Sequence, residues 1–299
     1  MNKPRLAVSF SGGRTSAVMT KLLVEKHRDT HDISVTFANT GQEHEATLEF
    51  VDRCDKEFGF NVVWLEAEID MTKGVGVRHR IVDFTDASRD GRPFREYIAK
   101  YGIPNVGSPQ CTSRLKEEVM DSYRHRQLGW PRGSYKTAIG IRHDEEHRAS
   151  VRAKESGFIY PLIDLGYTKE KVIEEVRSWG FDLKLPGEHY GNCVWCWKKS
   201  LRKLLTVAKH SPEQFAFPAR MEKKFSSFKA KNGERFFFRG NRSAQDILRL
   251  SKEPFEEFTD KYAPVSDEDP LDYGVGCGES CEIGSDERYG INIETEDWI

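Results

Sequence analysis

The sequence predicts an α/β protein: a parallel sheet with helices on both faces, followed by a cysteine-bearing C-terminal extension. Apolar runs and amphipathic helical patterns alternate along the first part of the chain, in the order strand, helix, strand, helix, strand. Alternation at these lengths is typical of parallel strands covered by helices. The extension is predicted because the character of the sequence changes after Gly180 and four of the six cysteines follow.

The first three strands are predicted at residues 5–10, 33–41 and 61–69, which are apolar runs bounded by turn residues. The first helix is indicated by Ala17, Val18, Leu22 and Leu23, and the second spans residues 45–58 and is closed by Gly59. Cys54 falls within the second helical pattern, where we expect a buried thiol that acts as a small apolar side chain.

The middle of the chain is less regular. A Pro/Gly-rich loop leads to a helix with Thr112 as its predicted N-cap, and a strand is expected at residues 137–141 before a charged loop at 142–148. A further helix is predicted to begin after Thr168, and a core strand at residues 236–238.

Composition narrows the class of protein. The chain has 299 residues, a net charge of −2 and 31% charged residues, as expected of one large domain or a core with an appendage. No apolar run approaches the roughly 20 residues of a membrane span, and the N-terminus does not resemble a signal peptide. We therefore expect a cytoplasmic protein without membrane association, with reduced cysteines.

A Ser-Gly-Gly turn follows the first strand. Gly12 and Gly13 allow close backbone approach to an anion, while Ser11, Thr15 and Ser16 offer hydroxyl donors at the start of a helix. The spacing is neither that of a Walker loop nor that of a dinucleotide-binding loop. Taken alone, the turn fits a phosphate site and a simple strand-to-helix connection equally well.

The surrounding motifs make the turn specific. "SFSGGRTS" resembles the pyrophosphate loop of the PP-loop ATP pyrophosphatases, and "FANTGQEHEATLEFV" looks like the corresponding segment of the phosphoadenylyl-sulfate (PAPS) reductase branch. "QCTSRLK", "GIRHDEE" and "YPLIDLGYTKEKV" follow in the family's order. By this resemblance, which spans about residues 5–197, the chain is identified as a PAPS reductase-like member of the adenine nucleotide alpha hydrolase superfamily, with a Rossmann-like fold.

The resemblance implies a nucleotide site at the carboxyl ends of the strands. Residues 1–180 would form the nucleotide-binding domain, and residues 181–299 a cysteine-containing helical and irregular region with an acidic tail. ATP or an adenylyl sulfate would be the bound nucleotide. The residues carried over as its contacts are Ser9, Ser11, Gly12, Gly13, Arg14, Thr15, Ser16, Phe37, Asn39, Thr40, Gly140 and Arg142.

The same resemblance suggests catalytic groups. Arg142 would reach a phosphate or sulfate, for which a guanidinium is geometrically suited. Lys116 and Arg114 are further anion-binding candidates, and Cys111 is a candidate nucleophile. One position departs from the family: the usual acidic residue of the loop is Thr15 here, which makes nucleotide cleavage a weaker expectation than nucleotide binding.

Five cysteines admit three interpretations. In the first, Cys111, Cys193 and Cys196, with Cys277 or Cys281, hold a 4Fe–4S cluster, as in adenylyl-sulfate reductases and cluster-dependent transfer-RNA thiolases. In the second, Cys193, Cys196, Cys277 and Cys281 form a structural zinc site while Cys111 is a separate reactive thiol. In the third, all are ordinary reduced thiols. The C-terminal Glu-Cys-Gly-x-His of PAPS reductases is absent.

Three other features of the sequence each allow a functional and a purely structural interpretation. Asp144 or Glu145 is a candidate Mg²⁺ ligand, although a charged loop near the nucleotide is favoured. Basic and aromatic residues between positions 197 and 242 could bind single-stranded nucleic acid, but a solvated helix face with a core strand is preferred. The acidic tail from Ser266 is read as a solvated terminus, with an autoinhibitory or partner-binding segment as the alternative.

Two enzymatic functions and one binding function follow from these observations. ATP could adenylate an acceptor with release of pyrophosphate ahead of sulfur transfer, or an adenylyl sulfate could be reduced by a thiol. Either reaction needs a thiol or sulfur donor as partner. The alternative is an accessory or sensor protein that binds ATP without turning it over.

Overall fold

The sheet of the computed structural model, which describes residues 3–150, 153–230 and 233–260, has six strands in the order β4-β3-β2-β1-β5-β6. Neighbouring strands run parallel except β4, which is antiparallel to β3. The parallel α/β prediction is thus confirmed for five strands, and β4 is an addition. The strands are β1 (Arg5–Ser9), β2 (Asp32–Asn39), β3 (Val63–Ile69), β4 (Val77–Val82), β5 (Lys136–Ala138) and β6 (Phe158–Ile159).

Helices connect the strands and continue after them. A π-helical turn at Ser113–Glu117 leads directly into α4, and a 3₁₀ segment at His143–Arg148 follows β5. The α-helices are α1 (Arg14–His27), α2 (Glu45–Phe58), α3 (Arg92–Tyr101), α4 (Glu118–Arg126), α5 (Ala153–Ser156), α6 (Pro161–Asp164), α7 (Lys169–Arg177), α8 (Leu201–His210), α9 (Ala216–Phe225) and α10 (Ala244–Leu250).

Both faces of the sheet are covered. Successive side chains of a strand point to opposite faces, so Phe37 and Trp64 join a core with α1, α2 and α7, while Ala38 and Leu65 join another with α3 and α4. Cys54 lies in the first core and is fully buried, as predicted. Burial also raises the pKa of its thiol, so it stays neutral.

Side chains from beyond residue 180 share the second core. The Trp195 ring lies 5.1 Å from the ring of Phe94 in α3 and 4.9 Å from that of Phe237. This packing brings the Cys193–Cys196 segment against the sheet domain. The division at residue 180 remains a prediction about domain organisation.

Two predicted elements differ from the structure. The expected strand at 137–141 ends at Ala138, although the Ile139 N–H still donates to the Ile159 carbonyl. Residues 236–238 are buried in part but are not a strand, because the Phe237 N–H donates to the Glu222 carboxylate instead of a neighbouring strand. Among the described residues, none of the helices has the length and apolar character needed to traverse a bilayer.

Candidate functional site

The carboxyl ends of β1, β2 and β5 lie side by side at one edge of the sheet. The chain leaves β1 for β2 on one side, while β5 pairs with β1 on the other, which creates a topological switch point between β1 and β5. Ligands of open α/β sheets bind in the crevice at such a point. The loops that follow these strands therefore form the candidate site.

The loop after β1 is tightly built. Gly12 has φ +81°, and a Cβ there would lie 2.7 Å from Cγ2 of Thr47, so both conformation and space require glycine. The Ser16 hydroxyl accepts hydrogen bonds from the Ser11 N–H at 3.2 Å and the Ser11 hydroxyl at 2.9 Å. Gly13 is the extended N-cap of α1 and supplies no side-chain cap. The loop thus opens onto a helix N-terminus, where anions are favoured.

The segment after β5 closes against this loop. A Cβ on Gly140 would lie 3.1 Å from the Cα of Ser16, so glycine permits the close approach of the two backbones. Arg142 is buried and donates to the Thr15 hydroxyl at 3.3 Å. Thr15, which stands where the resemblance leads us to expect an acidic residue, is therefore a neutral hydrogen-bond partner of Arg142, the predicted phosphate-binding arginine.

The Arg142 guanidinium also meets carboxylates. It pairs with Asp144 at 3.0 Å and with Glu145 at 3.2 Å, and Glu145 in turn pairs with Arg148 at 2.8 Å. The predicted Mg²⁺ candidates Asp144 and Glu145 thus serve as counter-ions of Arg142. These pairs hold the guanidinium at the crevice.

Two other predicted contacts have roles at the margins of the loop. Arg14 points to the segment after α7, donating to the Asp182 carboxylate at 2.6 Å and to the Leu183 carbonyl at 2.8 Å. The Ser9 hydroxyl faces the sulfur of Met120 at 3.9 Å. Arg14 therefore fixes the start of α1, and its place among the nucleotide contacts stays a prediction.

Phe37 and Asn39 are buried side chains that pack against the loops at the ends of β1 and β2. Phe37 packs edge-on against Trp64 at 4.8 Å, and its ring lies beneath Gly12. Asn39 is fully buried; its amide donates to Glu66 at 2.8 Å and its oxygen accepts from the Gly41 N–H at 3.0 Å. These side chains shape the ends of β1 and β2, and direct contact of either with a nucleotide stays a prediction.

Sequence reasoning missed Glu66. This buried carboxylate in β3 accepts from Asn39, from the backbone and hydroxyl of Ser88 at 2.5 and 3.0 Å, and from Arg92 at 2.6 Å. It ties the turn after β2 to the segment that precedes α3. A charged residue inside an apolar strand was the available signal, since buried carboxylates need partners.

The thiol pocket is a small cavity beside the turn after β2, and it brings together three of the predicted cysteines. Cys111 is half-buried at the pocket, whereas Cys193 and Cys196 are buried. The pocket is lined by Thr40, Phe94, Cys111, Thr112, Leu115, Lys116, Asn192, Cys193, Trp195, Cys196, Trp197 and Lys198.

Cys193 is connected to the turn after β2. Its sulfur lies 3.4 Å from the Thr40 hydroxyl, and its backbone forms a bridge with Glu43. Glu43, also missed at the sequence level, accepts from the Thr40 N–H at 2.9 Å and pairs with Lys116 at 3.8 Å. Burial, reinforced by the Glu43 charge, raises the pKa of the Cys193 thiol.

Of the five cysteines predicted as metal ligands, three lie in the part of the chain that the structure describes. In residues 3–150, 153–230 and 233–260, no three His, Cys, Asp or Glu side chains are grouped closely enough to hold a metal ion. The described cysteines do not by themselves form a zinc or iron–sulfur site, and Cys277 and Cys281 lie outside the described residues.

The chain is similar to a known domain family and to several known proteins. Residues 5–104 match the model of the phosphoadenosine phosphosulfate reductase domain. Over 284 residues the chain is 31% identical to the uncharacterized nin region protein ORF290 of Escherichia phage lambda, covering 92% of this chain and 94% of that protein. This chain belongs to the PAPS reductase-like family of the adenine nucleotide alpha hydrolase superfamily. The family's role in nucleotide binding comes with that assignment.

Two further proteins show weaker similarity to this PAPS reductase-like chain. An uncharacterized protein of Methanocaldococcus jannaschii is 27% identical over 226 residues, which are 69% of this chain and 45% of that protein. The crystal structure of a PAPS reductase from Candida auris, a phosphate complex, superimposes with a TM-score of 0.34 at 15% identity, covering 60% of this chain and 75% of that one.

Proposed function

We propose that the chain binds ATP at the loop after β1 and adenylates an acceptor, releasing pyrophosphate ahead of a sulfur transfer. The observation that carries this proposal is the position of the thiol pocket: Thr40, at the end of β2, contacts the Cys193 sulfur at 3.4 Å, and β2 pairs with β1. A thiol-lined cavity therefore lies at the same edge of the sheet as the predicted phosphate loop.

The phosphates would lie on the backbone of the loop and on Arg142. In the reaction, an acceptor oxygen forms a bond to the α-phosphorus while the bond to the β-phosphate breaks and pyrophosphate leaves. Arg142 and the N–H groups at the start of α1 would stabilise the developing charge. Lys116, held by Glu43 at 3.8 Å, would supply a second cation on the side of the thiol pocket.

Cys111 is the thiol best placed for chemistry with a bound substrate. It is the half-buried member of the pocket, whereas Cys193 is buried and held as a neutral thiol. A nucleophilic thiol needs both access and thiolate character. We therefore assign Cys111, and not Cys193, to the sulfur-transfer step.

The test is product analysis with two nucleotides. The purified chain is incubated with ATP, and separately with an adenylyl sulfate plus a thiol reductant. Release of pyrophosphate and AMP from ATP, lost in Arg142→Lys, supports adenylation. Release of sulfite from the adenylyl sulfate alone would replace the proposal with the reductase reaction.

The accessory function makes a distinct prediction in the same experiment. The neutral Thr15 beside Arg142 favours it, because this site lacks the family's acidic group in the loop. With water as the acceptor, attack at the α-phosphorus would give AMP and pyrophosphate, so tight ATP binding without release of pyrophosphate, AMP or sulfite would favour a binding protein over both enzymatic reactions.

A further inference from the structure

Large apolar side chains and two lysines line the thiol pocket. The cavity measures about 390 Å³ including its opening to solvent, which is at the small end of the range for ligand pockets. Its apolar walls are formed by Phe94, Leu115, Trp195 and Trp197. In the part of the chain that the structure describes, the same lining includes Lys116 and Lys198 but no aspartate or glutamate. The lining therefore suits a small molecule with an apolar body and a negative group.

The two ammonium groups are held at the wall of the pocket. Lys198 donates to the Thr112 hydroxyl at 3.2 Å, and its ammonium nitrogen lies 5.8 Å from the centre of the Trp197 ring. Lys116 is buried, 3.8 Å from the Glu43 carboxylate. An ammonium removed from water is stabilised by each anion or acceptor that it meets. A carboxylate in the cavity would add such a partner for both lysines.

The indole N–H of Trp197 is an independent sign of a ligand. Trp197 is 3% exposed, and its N–H has no hydrogen-bond acceptor within residues 3–150, 153–230 and 233–260. The neighbouring Trp195, in contrast, donates its N–H to the Gln42 side chain. Buried donors are rarely left unpaired, because the missing bond costs free energy. An oxygen of a molecule bound in the pocket would satisfy this donor.

We propose that the acceptor of the reaction is a small carboxylic acid with an apolar body, bound in the thiol pocket. This inference rests on the proposed function and names its substrate class. Lys116 and Lys198 bind the carboxylate, and the aromatic walls bind the body. Sulfonates and phosphate esters would also attract the lysines. Only a carboxylate, once adenylated, offers an acyl carbon to the Cys111 thiol.

The chemistry has two steps. A carboxylate oxygen bonds to the α-phosphorus of ATP while the bond to the β-phosphate breaks, which gives an acyl adenylate and pyrophosphate. The Cys111 sulfur then bonds to the acyl carbon, the bond between that carbon and the AMP oxygen breaks, and the thiol proton passes to solvent. The products are AMP and a thioester on Cys111, with no oxidant or reductant consumed. A sulfide or thiol donor that attacks the thioester restores the Cys111 thiol.

Mass spectrometry of the intact chain tests the thioester. Benzoate and hexanoate serve as aromatic and aliphatic probes, and benzamide and hexanamide as neutral controls of the same shape. With ATP, the acids should stimulate pyrophosphate release and leave an acyl adduct on the Cys111 peptide that hydroxylamine removes. Cys111→Ala should keep the stimulated pyrophosphate release and lose the adduct.

Protection of Cys111 from alkylation tests binding without ATP. Benzoate should slow the labelling of the Cys111 peptide by iodoacetamide, and benzamide should not. In Lys198→Met, the benzoate concentration for half protection should rise about tenfold or more, because hydrogen bonds between charged groups are strong. Lys26→Met, which removes an exposed ammonium on α1, should behave as wild type.

The outcomes separate this inference from the proposed function. Acid-dependent pyrophosphate release, a Cys111 thioester and protection that depends on Lys198 support it. Pyrophosphate release that is indifferent to both acids, with no protection by either, would overturn the carboxylate assignment and leave adenylation standing. Protection by benzoate without pyrophosphate release would reject adenylation, and the acceptor assignment with it. Neither protection nor release would overturn both.

Discussion

The Arg142 guanidinium donates a hydrogen bond to the Thr15 hydroxyl at 3.3 Å, joining the loop after β1 to the segment after β5. Each residue belongs to a different side of the switch-point crevice. Thr15 is thus the neutral partner of the arginine on the loop, whereas the carboxylates that pair with the guanidinium, Asp144 and Glu145, lie after β5. A phosphate at the loop would meet a guanidinium that is already held from the β5 side.

Substitution of this pair should weaken ATP binding by different amounts. Thr15→Val removes a neutral acceptor and should raise the Kd for ATP only a few-fold, since such a bond contributes about 1 kcal/mol. Arg142→Lys should raise it about tenfold or more, because an ammonium cannot make two parallel bonds to phosphate. Titration calorimetry measures both, with Arg53→Lys on α2 as control. Equal effects of the two substitutions would contradict this assignment.

Gly140 should tolerate no side chain. In Gly140→Ala the new Cβ would lie 3.1 Å from the Cα of Ser16, so the two loops must separate. We expect a loss of ATP affinity of roughly tenfold and a lower Tm, because overpacking costs about 1–3 kcal/mol. Gly76→Ala is the matched control, since a Cβ at Gly76 meets nothing within 4 Å. Unchanged ATP binding in Gly140→Ala would show that the crevice is not formed by these loops.

Removal of the Glu66 carboxylate should destabilise the chain. Glu66→Leu leaves Asn39, Ser88 and Arg92 without their shared acceptor, and breaking a buried pair costs about 3–5 kcal/mol. Because Arg92 is 36% exposed, we expect the lower part of that range. Glu66→Gln should be milder, since its amide oxygen still accepts from Asn39. Urea unfolding checks this, with the exposed Glu68→Gln as control; similar midpoints for Glu66→Leu and wild type would refute the role.

Glu222 should make stability depend on pH. This α9 carboxylate accepts from the Phe237 and Ala244 N–H groups at 3.1 and 2.8 Å, but burial raises its pKa from 4.5 to about 7. The folded chain therefore holds a proton that the unfolded chain releases as pH rises. Its contribution is full below about pH 4.5 and is lost by pH 7, at roughly 1.4 kcal/mol per unit of pKa difference.

Comparison with Glu222→Gln isolates this effect. The amide does not titrate, so the variant should be less stable than wild type at pH 5 and gain relative to it by pH 8. Unfolding free energies from urea titrations at the two pH values provide the measurement. A difference between variant and wild type that stays constant with pH would count against titration of Glu222.

The sequence predicts the α/β architecture of this protein well, because parallel strands, glycine turns and the order of motifs can each be recognised from short stretches of sequence. The parallel α/β sheet, the burial of Cys54 and the family follow from them. β4 was missed because Arg78, His79 and Arg80 stand in a row, so the strand forms no apolar run. An antiparallel strand with one solvated face is recognised by alternation of apolar and polar residues, and these three consecutive polar residues interrupt it.

The candidate site was predicted less completely, and the reason is that its supports are long-range. Glu43 and Glu66 were passed over because their partners, Lys116 and Arg92, are distant in sequence. The convergence of Cys111 with Cys193 and Cys196 depends on packing of the C-terminal part against α3, which periodicity does not reveal. The contacts of individual residues with a nucleotide stay predictions.

Gln42 has a consequence for exchanging parts between relatives. Its side-chain oxygen accepts from the Trp195 indole at 2.5 Å, and its carbonyl accepts from the Val194 N–H at 3.0 Å. The turn after β2 and the cysteine segment are therefore matched as a pair, although about 150 positions separate them. A chimera that receives only one of the two segments from a relative would lose these hydrogen bonds. A chimera that receives residues 40–44 together with 192–197 would keep them.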